Sequence, residues 1–337
     1  MITPGSVSLV TLSSMSTQGK TVAAFGDINI DVILNVDALP ARGEEVFSTG
    51  RSETLGGSAA NTAVVLARLG IHSSVMGSVG DDDAGHRALY LLGLADVDVS
   101  RTSVSETHPT AINTVLVTPD GERTMIGARG ANVTHAVDRD WHDGVRWLHI
   151  SGYALMEGIQ RETAISVLSD ARQAGIPTSL DVPIGVGARL RELSTDPLAG
   201  HEIVSASREA LREIVGDRDP MEAITSVDTL AITAGPDPVI VTGKSDQVVV
   251  RPPRVETVDV TGAGDAFMAG LITSRLRGLE LGPSAVMATA AGSAATLVPG
   301  AYGTASNTEV WATVLDPALW VDANTDWLDE ARSLIVG

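Results

Sequence analysis

Apolar and polar positions follow two rhythms along most of this chain. Residues 21–36 and 145–153 are largely apolar runs of the kind that form buried strands. In residues 56–70 apolar side chains instead recur at helical spacing after a Gly-Gly pair, and Gly70 supplies a C-terminal stop. Strands that alternate with helices predict an α/β domain whose mostly parallel sheet is covered by helices on both faces.

Two segments break this alternation. Residues near 32–55 and 108–130 contain short strand-like pieces separated by turn residues. In the second segment apolar and polar residues alternate around Asp120-Gly121, which is a strong hairpin signal. We expect the two segments to pair into one small β-sheet that projects from the main domain.

The pattern also predicts the domain boundaries. Residues 1–20 are rich in Ser, Thr and Gly and are expected to form a flexible tail. Residues 21–310 form one domain that includes the two β segments, and residues 311–337 form a C-terminal helical extension. Three tryptophans fall in or beside that extension and are expected to anchor it by packing: Trp311, Trp320 and Trp327.

Composition narrows the possible partners. The 337 residues carry a formal charge of −19, so neither nucleic acid nor an anionic membrane surface is an expected partner. The chain has no cysteine, and the first 20 residues lack the basic and apolar regions of a signal peptide. Both observations fit a cytoplasmic location. Any polyanionic ligand must be held by local groups such as helix N-termini, metal ions or a few arginines.

The candidate chemistry is concentrated in "VDVTGAGDAF", residues 258–267. A Gly-rich turn that begins a helix presents N–H groups to an anion. Asp265 lies in the first helical turn, where it can cap the helix or act as a general base beside those donors. Phosphoryl transfer needs this combination of a base for the acceptor hydroxyl and donors for the transferring group.

Other glycine-rich stretches are poorer candidates. "TGKS" at residues 242–245 lacks the first Gly of a P-loop, because Pro238 stands in its place. "GVGARL" and "GAGDAF" lack the third Gly of the dinucleotide fingerprint. A nucleotide-dependent dehydrogenase is therefore disfavoured.

Five motifs together resemble the ribokinase-like (PfkB) family of carbohydrate and nucleoside kinases. "VDVTGAGDAFMAG" is similar to the C-terminal signature of that family and "LGGSAANTAVVLARLG" to its N-terminal signature. "GDINIDVI", "VGDDDAG" and "RGAN" fit further family motifs in the same order. The resemblance implies a three-layer α/β/α sandwich with a mostly parallel central sheet and a small β-sheet lid. It also implies an ATP-dependent kinase.

The resemblance assigns roles at the acceptor side. Asp265 would be the general base for a primary hydroxyl, and the turn before it would be the anion hole for the transferred phosphoryl group: Gly262, Ala263 and Gly264. Four further residues would bind the substrate: Asn29, Asp31, Gly57 and Asn61. Ordinary turn chemistry or helix capping is the alternative explanation for the asparagines and Asp31.

On the donor side the resemblance implies ATP with Mg²⁺. Thr233, Gly235 and Gly264 would contact the nucleotide. Many family members also bind a monovalent cation such as K⁺ beside the anion hole. The matching positions are Asp259, Thr261, Ala295, Val298, Gly300 and Thr304.

Two positions depart from the family pattern. Family members usually carry an Asn-x-x-Glu pair that organises the metal and phosphates. Here Glu209 supplies the acid, but Ala206 stands at the asparagine position. Ser58 stands where ribokinases have lysine, which argues against ribose as the substrate.

Three functions therefore stay open. A sugar or sugar-derivative kinase is favoured over a nucleoside kinase, because aromatic residues make up only 3% of the chain and few can stack on a base. A catalytically inactive sugar-binding or regulatory homologue is the third alternative, and the altered metal pair motivates it. A homodimer formed through the lid is also expected from the resemblance.

Overall fold

The computed structural model describes residues 21–192, 198–216, 227–298, 300, 308–321 and 324–336. The central sheet of this part of the chain has eight strands, numbered in chain order. From one edge to the other they are β4 (Ser73–Met76), β1 (Thr21–Phe25), β9 (Val145–Ser151), β10 (Thr178–Val182), β11 (Ile203–Ser207), β12 (Thr229–Thr233), β13 (Val239–Thr242) and β14 (Gln247–Val250). The run from β4 to β12 is parallel, and β13 and β14 continue it in antiparallel register.

Helices cover both faces of this sheet. Val22 of β1 packs into the core on the face covered by α1 (Ser58–Arg68), α6 (Ala263–Leu276) and α7 (Leu281–Ala295). The next residue, Ala23, packs into the core on the opposite face, with α3 (Gly158–Gln173), α4 (Gly187–Arg191) and α5 (Arg208–Val215). Consecutive strand residues point to opposite faces, so a strand that is apolar at every position belongs between two helical layers. The predicted α/β class with a mostly parallel sheet is confirmed.

A second sheet of four strands is called the lid below. Its strands are β2 (Asn29–Asn35), β3 (Gly50–Gly56), β7 (Ala111–Val117) and β8 (Arg123–Ala128), in the spatial order β3-β2-β7-β8. The two outer pairs are antiparallel, and β2 and β7 pair in parallel. The hairpin between β7 and β8 turns at Asp120-Gly121, where Gly121 has a φ of 81°. Beside the lid, β5 (Ser78–Gly80) and β6 (Ser103–Ser105) form a two-stranded sheet, and α2 (Asp83–Leu94) follows β5.

The last two helices pack on the main core. Helices α8 (Thr308–Val314) and α9 (Thr325–Val336) lie against α7. Trp311 and Trp320 are buried there and Trp327 is partly buried, which confirms their predicted role as packing anchors. The predicted tail, residues 1–20, lies outside the described residues. No helix in the described ranges has the length and apolar character that a membrane crossing requires.

The order of strands creates a crevice between β1 and β9. From β1 the chain continues toward α1 on one face of the sheet, whereas from β9 it continues toward α3 on the other face. At such a reversal the loops at the carboxyl ends of the two strands diverge, and this is where open α/β sheets bind ligands. Asp27 follows β1 and Tyr153 follows β9. The topology therefore indicates a site at this edge.

Candidate active site

Asp265 is held by two side chains from another helix. Gly262 precedes α6 with a φ of 75°, a left-handed conformation that glycine adopts without strain, and this turn directs Asp265 toward α1. Ser58 Oγ donates to Asp265 Oδ1 and Asn61 Nδ2 donates to Oδ2, both at 2.7 Å. Both oxygens of the carboxylate are thus fixed in place. Asn61 Oδ1, in contrast, is buried without a hydrogen-bond partner in the described part of the chain.

Three carboxylates of the site resist ionisation. Burial raises the pKa of Asp265 above its usual range, although the hydrogen bonds from Asn61 and Ser58 oppose this. Burial and the charge of Asp265 raise the pKa of Asp181, at the end of β10, to about 7. Burial, together with the charges of Asp265 and Asp259, raises the pKa of Asp31 to about 6. The site can therefore hold and release protons close to neutral pH.

A row of amides lines the acceptor side. Asn132 Nδ2 donates to Asn29 Oδ1 at 2.8 Å, and the Ile28 N–H donates to Asn132 Oδ1 at 3.1 Å. Asn113 of β7 donates to Asp31 Oδ1 at 2.8 Å, across the parallel pair of lid strands. These bonds fix the orientation of groups whose remaining lone pairs and N–H groups suit hydroxyls.

Arg129 and Asp27 form an ion pair at the carboxyl end of β1. Arg129 Nη2 lies 2.9 Å from Asp27 Oδ1 and 2.7 Å from Gln160 Oε1. Gln160 Nε2 in turn donates to Asp27 Oδ1 at 2.9 Å. Burial, with the charges of Asp265, Asp181 and Asp27, raises the pKa of the nearby Tyr153 phenol to about 12. That hydroxyl therefore remains a hydrogen-bond donor at neutral pH.

The turn before Asp265 leaves space for an anion. A Cβ added to Gly264 would meet no described atom within 4 Å apart from its chain neighbours and the backbone of its own helix. The N–H of Ala263 already donates to the Val260 carbonyl at 3.3 Å. The N–H groups at a helix start have no partner within their own helix. The open position at Gly264 thus fits the predicted approach of a phosphoryl group.

The donor side is more sparsely equipped with side chains. Ser207 ends β11 and caps α5 by accepting from the Ala210 N–H at 3.0 Å. Glu209 is exposed in the first turn of that helix. Thr233 ends the neighbouring strand, opposite Ser207, and Gly235 forms a turn with a φ of 59°. No group of three or more His, Asp or Glu residues suited to a metal occurs in the ranges described above.

The side chains on this side of the site fit a Mg²⁺ ion that takes one ligand from the protein. Magnesium usually keeps several waters and is held by one or two carboxylates together with the phosphates of its nucleotide. The exposed Glu209 can supply one such carboxylate. Ala206, at the predicted asparagine position, is buried in β11 and offers no side-chain ligand.

The described residues at the predicted monovalent-cation site do not fit a monovalent cation. Asp259, Thr261 and Gly300 do come together, because Asp259 accepts from the Thr261 N–H and from the Gly300 N–H, each at 2.8 Å. Arg123 Nη1 of the lid, however, also donates to Asp259 at 2.6 Å and contacts the Thr261 hydroxyl. Both oxygens of Asp259 are therefore in use. Ala295 and Val298 lie at and after the end of α7, and Thr304 lies outside the described residues.

Several site residues were missed by sequence reasoning. They are Asp27, Ser58 in its contact with Asp265, Asn113, Arg123, Arg129, Asn132 and Asp181. Arg129 and Asn132 stand in or beside the "RGAN" motif, so that motif could have identified them. Arg123 and Asn113 depend on how the lid strands pair, which no local pattern reveals.

Comparison with known proteins identifies the family of this chain. The pfkB family carbohydrate kinase model matches residues 20–308. An ATP-dependent ribose-1-phosphate kinase from Halopiger xanaduensis is 32% identical over 257 residues, covering 76% of this chain and 84% of that protein. A fructokinase from Salmonella typhimurium is 31% identical over 266 residues, covering 73% and 87%.

Solved structures share the fold. Ribokinase from Arabidopsis thaliana, complexed with ribose and ATP, matches with a TM-score of 0.74 and 21% identity over 88% of this chain and 98% of that one. A nucleoside kinase from Methanocaldococcus jannaschii matches with a TM-score of 0.73 and 20% identity over 92% and 98%.

Proposed function

The chain belongs to the pfkB family of carbohydrate kinases, and from this premise we propose that it transfers the γ-phosphoryl group of ATP to a primary hydroxyl of a small sugar or sugar derivative. Family membership makes it a phosphotransferase that acts on a sugar or a nucleoside. The observation that carries the finer proposal is the Asp265 carboxylate, fixed by Ser58 and Asn61 beside the open turn at Gly264.

In the proposed reaction Asp265 accepts the proton of the acceptor hydroxyl. The hydroxyl oxygen attacks the γ-phosphorus as the bond to the oxygen between the β and γ phosphates breaks, and ADP leaves. N–H groups of Gly262 and Gly264 face the negative charge on the transferring group, whereas the Ala263 N–H already donates to the Val260 carbonyl. Because burial raises the pKa of Asp265, its carboxylate is a stronger base than a solvated aspartate.

The nucleotide is expected along the ends of β11 and β12. Thr233, Gly235 and Gly264 are the proposed contacts, with Gly264 facing both substrates. Mg²⁺, when bound with ATP, neutralises phosphate charge, and Glu209 is the proposed protein carboxylate toward it. A cytoplasmic location, where ATP is abundant, suits this donor.

Polar groups favour a sugar as the acceptor. Hydrogen-bond donors and acceptors for sugar hydroxyls come from Asn29, Asp31 and the unpaired Oδ1 of Asn61. Gly57 has no side chain, so the backbone there can lie close to the sugar. An Oδ1 left unpaired by the wrong substrate costs about 1–3 kcal/mol, which builds selectivity. A nucleoside is the second candidate, because Tyr153 is 37% exposed at the site and can stack on a base.

The lid offers a surface for a second copy of this chain. Ile112 and Ile126 are exposed on its strands, on the face away from Asp31, and Val32 and Leu116 are partly exposed there. We expect a homodimer through this face, since a sheet with an exposed apolar face gains from pairing with another. Light scattering of the purified chain tests this, and Ile126→Lys is expected to yield monomers.

The kinase proposal is tested by ADP release with Mg-ATP across a panel of sugars, sugar acids and nucleosides. Turnover with one class, lost about 10²–10⁴-fold in Asp265→Ala, is expected. Calorimetric binding of a sugar with no ADP release on any compound would instead support an inactive homologue. Full activity of Asp265→Ala would overturn the assignment of the base.

A further inference from the structure

Asp259 accepts four hydrogen bonds from the described residues of its own chain, three of them on Oδ1. Its Oδ1 accepts from the Thr261 N–H at 2.8 Å, the Thr261 hydroxyl at 2.7 Å and Arg123 Nη1 at 2.6 Å. Its Oδ2 accepts from the Gly300 N–H at 2.8 Å. Asp259 is therefore a fixed anion directly before the Gly262–Gly264 turn.

Arg123 reaches Asp259 from the lid. It is the first residue of β8, and it pairs with Val117 in the register that also places Asn113 opposite Gly127. Side chains alternate between the two faces of a strand, and Arg123 is four positions from Gly127. Arg123 therefore points to the same face of the lid as Asn113 and Asp31, which is the face turned toward the site. The side chain of Arg123 is 24% exposed and that of Asp259 is 13% exposed. The ion pair is therefore only weakly screened by solvent.

A further cation would compete with Arg123 for this carboxylate. K⁺ needs oxygen lone pairs, and Asp259 Oδ1 already accepts three hydrogen bonds while Oδ2 accepts one. It would also stand next to a guanidinium that cannot lose its proton. The carboxylates that remain nearby, Asp31 and Asp265, face the acceptor side, where Asn113 and Asn61 bind them.

We propose that the Arg123 guanidinium supplies, from within the chain, the positive charge that a monovalent cation supplies beside the anion hole of other kinases. Arg123 is a positioning residue: it holds Asp259 and Thr261, and through them the turn that faces the phosphoryl group. Turnover of this protein is therefore independent of K⁺. The proposal rests on the proposed kinase function, and its test is chosen to separate the two.

The experiment compares the wild-type chain with Arg123→Met and Arg123→Lys. Initial rates are measured in tetramethylammonium buffer and after replacement by K⁺ at constant ionic strength. The wild type is expected to change by about twofold at most. Arg123→Met is expected to lose about tenfold or more without K⁺ and to regain most of it with K⁺. Arg123→Lys keeps a fixed charge and is expected to stay independent of K⁺.

A binding measurement accompanies the rates. Tl⁺, a K⁺ mimic, is titrated into each protein and followed by thallium NMR, which requires no turnover. Binding is expected for Arg123→Met and not for the wild type. Arg51→Met is the matched control, because Arg51 lies on the same lid but is 61% exposed and pairs with Glu53 instead of Asp259. It is expected to behave as the wild type.

The possible outcomes are distinct. Strong activation of the wild type by K⁺, or Tl⁺ bound to it near Asp259, would overturn the proposal. A folded Arg123→Met that is inactive and not rescued by K⁺, or one as active as the wild type without K⁺, would also overturn it. Absence of turnover on every substrate counts against the kinase function alone, since the Tl⁺ titration still reads the role of Arg123.

Discussion

The proposed acceptor end and donor end of the site are built in different ways. Around Asp265 a set of side chains is already joined by hydrogen bonds, drawn from α1, the lid and the loops after β1. At the ends of β11 and β12, the Ser207 side chain caps its own helix, Glu209 is exposed and Gly235 supplies a turn. The acceptor end is organised before any ligand arrives, whereas the donor end depends on backbone groups and on what the nucleotide brings.

This difference predicts where changes matter. Substitutions at the acceptor end disturb a connected network and have large effects on rate. Substitutions of single side chains at the donor end remove one weak contact among many. The acceptor end also carries three carboxylates with raised pKa values, so its order is maintained at a cost in stability.

Among substitutions of residues around Asp265, the largest effect is expected from Asn61→Asp. The new carboxylate replaces a donor that lies 2.7 Å from Asp265 Oδ2, and two carboxylates at that distance cannot both ionise. We expect kcat/KM at pH 7 to fall by about 10²–10³. Steady-state kinetics measure this. An unchanged kcat/KM would show that Asp265 and Asn61 do not act together.

Asp181→Asn is expected to stabilise the protein. In the unfolded chain Asp181 ionises near pH 3.8, but burial and Asp265 raise its folded pKa to about 7. The stability linked to its bound proton is fully present below about pH 4 and is lost as the pH rises through about 7. We expect a gain of about 2 kcal/mol at pH 8, after allowing for solvent near this half-buried group, and none at pH 4.

Urea denaturation at the two pH values checks this prediction. Asp170→Asn, on the distant helix α3, serves as the control and should show no such pH-dependent gain. Equal effects of Asp181→Asn at pH 4 and pH 8 would mean that the strain at Asp181 is not electrostatic.

Ser58→Ala is expected to have an intermediate effect. It removes one of two donors to Asp265, so the ionised base is less stabilised and its pKa rises further. The rate at neutral pH should fall about tenfold, and the loss should become smaller as the pH rises. A pH–rate profile measures both. Ser52→Ala, on an exposed lid position, is the control, and a loss equal at all pH values would contradict the explanation.

The smallest effect is expected at the donor end. Glu209→Gln removes an exposed carboxylate whose attraction for a cation is weakened by solvent, so the free Mg²⁺ needed for half-maximal rate should rise only about threefold. Titration of Mg²⁺ at fixed ATP measures this, with Glu213→Gln on the same helix as control. If Glu209→Gln lowered the rate as much as Asn61→Asp, the donor end would not be less sensitive to substitution than the acceptor end.

Local signals predicted much of this molecule. The alternation of apolar runs and amphipathic stretches predicted the α/β fold, because both periods arise within one element. The turn before Asp265 was likewise visible in the order of its glycines. The comparisons support the family, while the roles of individual residues stay predictions.

Contacts between distant elements could not be predicted in this way. Ser58 and Asp265 are 207 positions apart, and Arg123 and Asp259 are 136 positions apart. The second contact also depends on strand register, and a shift of one residue would turn Arg123 to the opposite face of the lid. The contact of Arg123 with Asp259, at a predicted cation position, was hidden for this reason, because it depends on the register of the lid strands.

The contact between α1 and Asp265 also has a consequence for synthesis. At about 5–20 residues per second, the ribosome makes Ser58 roughly 10–40 s before Asp265. During that interval the nascent chain contains the proposed substrate-binding residues of β2 but lacks the proposed general base. Nascent chains and proteolytic fragments that end before α6 are therefore expected to be inactive. Premature termination of translation is then expected to yield no partly active kinase.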